Sequence, residues 1–138
     1  MKKINQELIA LFDKYGSDRR QALRENKKLS YLYALADLRE NLLDWCQFDP
    51  EQQALQIGAD AGALTGLRAR RLSSVTVLDV SEENLEVVRR RFKTEPELAA
   101  KIRYVCADVE TYAMEAEKRG GTYGYVVLIG DLTAADRA

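Results

Sequence analysis

Histidine is absent from this 138-residue sequence, and that absence removes more chemistry than any other. Ser-His-Asp and Cys-His nucleophile systems, a histidine general base and His-containing metal sites all fall away. Cysteine is scarce: Cys46 and Cys106 lie far apart and form no Cys-x-x-Cys pair. They read as free thiols in a reducing compartment rather than a disulfide framework. Neither sign of charge is in excess, with 21 Lys+Arg against 22 Asp+Glu. The basic residues are interspersed with acids, so no electrostatic footprint for nucleic acid exists. No run approaches the ~18 apolar residues of a membrane span, and no apolar segment follows the basic opening. The expected location is the cytoplasm, with no nucleic acid and no membrane as partner.

What is present is the material of one globular domain, 46% hydrophobic and 31% charged. The first fifty residues read as helix. Ile4, Leu8, Leu11 and Phe12 recur at helical spacing and stop at Tyr15-Gly16, where glycine suits a C-cap. Ser17 or Asp18 caps a second, charged stretch through Lys28. Ser30 then precedes a third helix, with Leu32, Leu35, Leu38, Leu42 and Trp45 on one apolar stripe, ended by Phe48-Asp49-Pro50.

After Pro50 the pattern changes. Ala54-Leu55-Gln56-Ile57 is a short strand ended by Gly58, and a helical stretch runs from Gly62 to Leu72. Val75 to Val80 is a β-branched strand, and Ser81 caps the helix carrying Leu85, Val88 and Phe92. Glu95-Pro96-Glu97 interrupts. Ile102 to Ala107 is a third strand, followed by a helix from about Glu110 to Arg119 that stops at Gly120-Gly121. Tyr125 to Ile129 is a fourth, wholly apolar strand. Strands alternating with helices at this spacing specify βα units and a parallel sheet. The expected division is a helical segment over 1–49 and a sheet-bearing core over 50–138.

In such a sheet a ligand sits beyond the carboxyl ends of the strands. The first strand runs into Gly58-Ala59-Asp60-Ala61-Gly62, where Gly58 and Gly62 permit a tight turn and close approach of the backbone. The helix that follows offers its first N–H groups to an anion. The second strand ends at Asp79, 21 residues beyond Gly58, a carboxylate suited to the two hydroxyls of a ribose. The third ends in Ala107-Asp108, placed to meet an adenine amino group. Gly58, Gly62 and Gly66 do not fit the dinucleotide series G-x-G-x-x-G, and no Walker Gly-Lys-Ser/Thr occurs.

The run Leu55 to Gly66, followed by Val77-Leu78-Asp79-Val80-Ser81, resembles the first two motifs of class I S-adenosylmethionine-dependent methyltransferases. Ala107-Asp108-Val109 resembles that family's next motif, and Tyr123 to Asp131 its fourth strand. The resemblance implies an α/β fold, a three-layer Rossmann-like parallel sheet with strands ordered 3-2-1-4 behind the N-terminal helices. It implies S-adenosylmethionine as cofactor, with Gln56, Gly58, Ala59, Asp60, Gly62, Asp79, Val80, Asp108 and Val109 around it. Tyr31-Leu32-Tyr33, Leu38-Arg39-Glu40-Asn41 and Gly62 to Gly66 are also similar to methyltransferase domains of bacterial surface-glycan synthesis proteins. The acceptor implied is a small molecule or a glycan. Base-methylating relatives carry Asn/Asp-Pro-Pro-aromatic after the fourth strand, where this chain has Gly130-Asp131-Leu132.

Two positions depart from the family pattern. Gln56 replaces an acid, and its carbonyl can still accept from the cofactor's ammonium or from a bridging water. Asp60 replaces the middle glycine. Facing the cofactor's carboxylate at about 4 Å, Asp60 costs on the order of 4 kcal/mol; facing the ammonium, it substitutes for the missing acid. The sequence leaves both open, and with them two functions: a methyltransferase domain with weakened cofactor binding, or a degenerate, non-enzymatic binding module. No catalytic residue is identified, and Asp131 reads as a loop aspartate. Four strands are fewer than the seven the resemblance implies. The apolar strand Tyr125 to Ile129 is therefore expected to be covered by chain beyond this sequence or by a second copy.

Overall fold

The computed structural model describes residues 2–36, 47–120 and 123–128. Three helices come first: α1 (Lys3–Tyr15), α2 (Arg19–Glu25) and α3 (Leu29–Leu35). The core follows as β1 (Gln53–Ile57), a 3-10 turn (Asp60–Gly62), α4 (Thr65–Arg71), β2 (Ser74–Asp79) and α5 (Glu82–Arg91). It continues with α6 (Pro96–Ala99), β3 (Ile102–Cys106), α7 (Val109–Arg119) and β4 (Tyr125–Leu128). The four strands are parallel and ordered β3-β2-β1-β4. Crossovers from β1 to β2 and β2 to β3 extend the sheet one way, and the chain then returns to the other side of β1. That reversal leaves a crevice at the carboxyl ends of the central strands.

Alternation along the strands separates two faces. Val75 and Val77 of β2 pack with Ala69 of α4, with Leu85 and Val88 of α5, and with Phe92 and Ile102. On the opposite face Leu55 and Leu78 pack with Tyr112 of α7. Helices on both faces make three layers. The N-terminal helices form a further cluster of Leu8, Leu11, Phe12, Ala22, Ala34 and Leu35 that docks on α5 through Val87. On β4, Val126 and Leu128 are exposed. Among the described residues, β4 pairs on its β1 side alone. No helix there is long and apolar enough to cross a membrane.

Local signals explain several helix ends. Gly16 takes φ 58° and returns its N–H to Phe12 O at 2.9 Å. Asp18 caps α2 by accepting from Gln21 N at 3.1 Å, and Ser81 caps α5 by accepting from Asn84 N at 3.3 Å. Gly120 closes α7 in the left-handed conformation.

Four expectations are corrected. Helix α2 stops at Glu25, short of Lys28: Asn26 leaves the helical region at φ −131° and ψ 86°, while its N–H and its side-chain amide both donate to Ala22 O at 3.0 Å. Helix α3 starts at Leu29, so Ser30 lies inside it and Lys28 stands at the cap position. It also ends at Leu35, with Ala36 extended. The guanidinium of Arg91 takes the Ala34 carbonyl at 2.7 Å, the acceptor that a continuing helix needs. Leu38, Leu42 and Trp45 fall outside the described residues. Finally, Pro96 starts the short helix α6 instead of interrupting, as its fixed φ and missing N–H permit at a first helical position.

Candidate functional site

The turn after β1 is built from unusual backbone. Gly58 has φ 99°, Asp60 48°, Ala61 53° and Gly62 77°. Aspartate tolerates the left-handed region; alanine there is strained by about 1–2 kcal/mol. Gly62 is required for a second reason. A Cβ at this position would lie 3.0 Å from Arg91 Cδ and 3.3 Å from Phe92 and Val88 side-chain atoms.

Such a turn persists only when its surroundings determine it, and two side chains do so. Gln56 is fully buried, and its Nε2 donates to Gly58 O at 2.9 Å and Ala59 O at 3.3 Å. Its Oε1 accepts from Thr65 Oγ1 at 3.0 Å and Arg68 Nη1 at 2.8 Å. Arg91 donates to Ala61 O at 3.0 Å. Both lone pairs of its carbonyl are thus engaged inside the protein. It holds the turn from below. The helix N-terminus is corrected: α4 begins at Thr65 and is buried, and the N–H groups of Gly62 and Ala63 are returned to Ala59 O and Asp60 O.

Asp79 sits at the end of β2 and joins three segments. Its Oδ2 accepts from Ala59 N at 3.0 Å, and its Oδ1 from Ser81 N at 2.9 Å. Asn84 Nδ2 lies 3.3 and 3.4 Å from the two oxygens. A carboxylate offers about four acceptor positions; the two backbone donors and one shared amide hydrogen take three of them and leave room for a further donor. The group is half-buried, not enclosed.

At the end of β3, Asp108 is exposed and caps α7. It accepts from Thr111 N at 2.7 Å and Thr111 Oγ1 at 3.0 Å. Those bonds hold its carboxyl below the usual carboxylate range, with the Thr111 backbone N–H as the largest cause. Val80 and Val109 are 51% and 39% exposed at the same edge, two apolar side chains that packing leaves in solvent. The edge is knit by Ala107 N to Asp79 O at 3.1 Å and by Cys106 Sγ to Val80 O at 3.4 Å.

Beside the turn opens a cleft of about 620 Å³. Helices α1 and α3 supply one wall, including Leu8, Leu29 and Tyr33, while Asp60, Ala61 and Asn84 supply the other. Asp60 thus faces this cleft as well as the turn. No lysine or arginine lines it among the described residues.

The structure therefore brings Gly58, Ala59, Asp60 and Gly62 together with Asp79, and sets Val80, Asp108 and Val109 along the neighbouring strand ends. Asp131 lies outside the described residues. Sequence reasoning missed Asn5, Asn84 and Arg91. Asn5 falls on the apolar face of α1 with Leu8 and Phe12, and Arg91 one turn beyond Val88 on α5; polar residues on buried stripes are the signal that marked them.

A family profile described as methyltransferase domain matches residues 54–137. No curated protein matches the chain. Among solved structures, it is similar to coclaurine N-methyltransferase bound to N-methylheliamine and S-adenosylhomocysteine, at 18% identity and TM-score 0.54, covering 93% of this chain and 43% of that one. It is also similar to a Haemonchus contortus phosphoethanolamine N-methyltransferase, at 21% identity and TM-score 0.48, covering 78% of this chain and 22% of that one. For the N-methyltransferase NodS of Bradyrhizobium japonicum the values are 22%, 0.39, 72% and 46%. The chain thus spans less than half the length of each of these structures.

Proposed function

The chain belongs to the methyltransferase-domain family, and from that premise we propose that it binds S-adenosylmethionine and transfers the methyl group to a small molecule. The observation that carries the reading is the Asp79 carboxylate, tied to the glycine turn through Ala59 N yet left with room for a further donor. That acceptor fits the vicinal hydroxyls of an adenosine, which donate to it. Val80 and Val109 fit the two faces of its base, and Asp108 keeps acceptor positions for the amino group while capping α7. Gly58 offers backbone without a Cβ where the nucleoside approaches.

With Gln56 engaged internally, Asp60 is the carboxylate at the turn that is suited to an ammonium. On this reading Asp60 takes the place of the missing acid. S-adenosylmethionine supplies a methyl group on a sulfonium, an electrophile that needs no metal. The chain's own contribution is orientation: α1 and α3 wall the cleft and hold an acceptor against the turn. The lining is apolar apart from Asp60, Tyr33, Ser30 and the two asparagines, which suits an uncharged or cationic small molecule better than an anionic one.

Calorimetric titration with S-adenosylmethionine and S-adenosylhomocysteine tests the cofactor, and transfer of labelled methyl to small amines, alcohols and glycans tests the acceptor class. Saturable 1:1 binding is expected. Absence of binding would return the domain to a non-enzymatic module.

A further inference from the structure

Two asparagines outside the roles above join α1 to the carboxylate of Asp79. Ionised Asp79 only accepts, so Asn84 must turn its NH2 toward it, and Nδ2 lies 3.3 Å from Oδ1 and 3.4 Å from Oδ2. The Asn84 carbonyl then faces the other way, where it accepts from Asn5 Nδ2 at 3.0 Å. The polarity of the chain is fixed from one end to the other: Asn5 donates, Asn84 relays and Asp79 accepts. Asn5 is only 7% exposed, on the helix face shared with Leu8, Leu11 and Phe12. A buried amide there is costly without a partner, and Asn84 is that partner. Both asparagines also line the cleft.

Building on the adenosine reading of Asp79, we infer that Asn84 is a positioning residue for ribose recognition and that Asn5 sets its orientation. Ala59 N and Ser81 N each reach one oxygen, from the turn and from the start of α5. Asn84 is nearly equidistant from both, so it restrains the carboxylate as a whole against rotation. Its bonds are long and shared, so they are the weakest that the carboxylate accepts. A pre-oriented acceptor discriminates well against a ligand lacking the matching donor, because its own polar atoms are then left unmet. The α1 wall of the cleft and the Asp79 carboxylate form one hydrogen-bonded unit.

The test is calorimetric titration of S-adenosylhomocysteine and its 2′,3′-dideoxyribose analogue into wild type, Asn84→Ala and Asn5→Leu. Wild type is expected to prefer the ribose ligand. Asn84→Ala is expected to lose about tenfold in affinity for that ligand and to bind the dideoxy analogue unchanged. Asn5→Leu, which keeps the helix face filled, gives the same pattern at smaller size. A merely structural role would move both affinities together. Equal losses, unchanged affinities or tighter binding in the Asn84 variant overturn the inference and leave the functional reading intact. Failure of the wild type to bind either ligand overturns both.

Discussion

The ends of β1 and β2 lie side by side at one edge of the sheet, each carrying a polar side chain, and the fold uses them in opposite directions. Gln56 points inward, wholly buried, with its NH2 bonded to two turn carbonyls and its oxygen bonded to Thr65 and Arg68. Asp79 is half-buried and gathers donors from the turn and α5 while keeping acceptor capacity. The difference follows from the chemistry of the two groups. Bracing a turn from beneath requires a group that donates and accepts together, which an amide does and a carboxylate does not. Binding a diol requires acceptors alone. The amide at position 56 is therefore not a weakened form of an acid; it does a different job.

The strongest way to break this comparison is Gln56→Leu. Two turn carbonyls, the Thr65 hydroxyl and the Arg68 guanidinium then each lose the hydrogen bond that Gln56 gave them in a buried place, and stability should fall by about 2–4 kcal/mol in urea denaturation. Gln56→Glu should fall between that variant and wild type, since it restores the acceptor for Arg68 but not the donors. At the other strand end, Asp79→Asn should change stability by only about 1–2 kcal/mol. Its affinity for S-adenosylhomocysteine should drop about a hundredfold, because a carboxylate acceptor becomes half a donor. Comparable stability losses at the two positions would erase the distinction.

Asp60→Asn should weaken S-adenosylhomocysteine about tenfold and leave 5′-methylthioadenosine, which lacks the amino-acid portion, unchanged. Tighter binding by Asp60→Gly would mean that Asp60 faces the carboxylate instead. The smallest effect belongs to Asp108→Ala, which should lower the melting temperature slightly through loss of the α7 cap. The Asp108 carboxyl is held below its ordinary value in the folded state, so its contribution is present above about pH 4. That contribution fades as pH falls through the lowered value. Melting curves of wild type and variant should therefore converge in acid.

The parallel sheet was legible because its strands are short apolar runs between glycine- and Ser/Asp-marked turns, and those signals act within a few residues. The strand-end acids were legible for the same reason. What escaped was set by contacts distant in sequence. Arg91 ends α3 from 57 residues away by taking the Ala34 carbonyl. Asn5 and Asn84 meet across 79 residues. The inward use of Gln56 depends on Arg68 being folded beneath it, which the pattern of α4 alone does not disclose. Ala61 at φ 53° runs against alanine's own preference and is imposed by the turn around it.

The central claim is that the carboxyl ends of β1, β2 and β3 form an adenosine site centred on Asp79. Amide chemical-shift mapping in the nitrogen-15 labelled protein during titration with S-adenosylhomocysteine tests it most directly, because Ala59 and Ser81 both donate through their N–H groups to that carboxylate. Saturating shifts concentrated at Gly58, Ala59, Val80, Ser81 and Val109 are predicted, and their loss in Asp79→Asn. Shifts elsewhere, or none at millimolar ligand, would contradict the account.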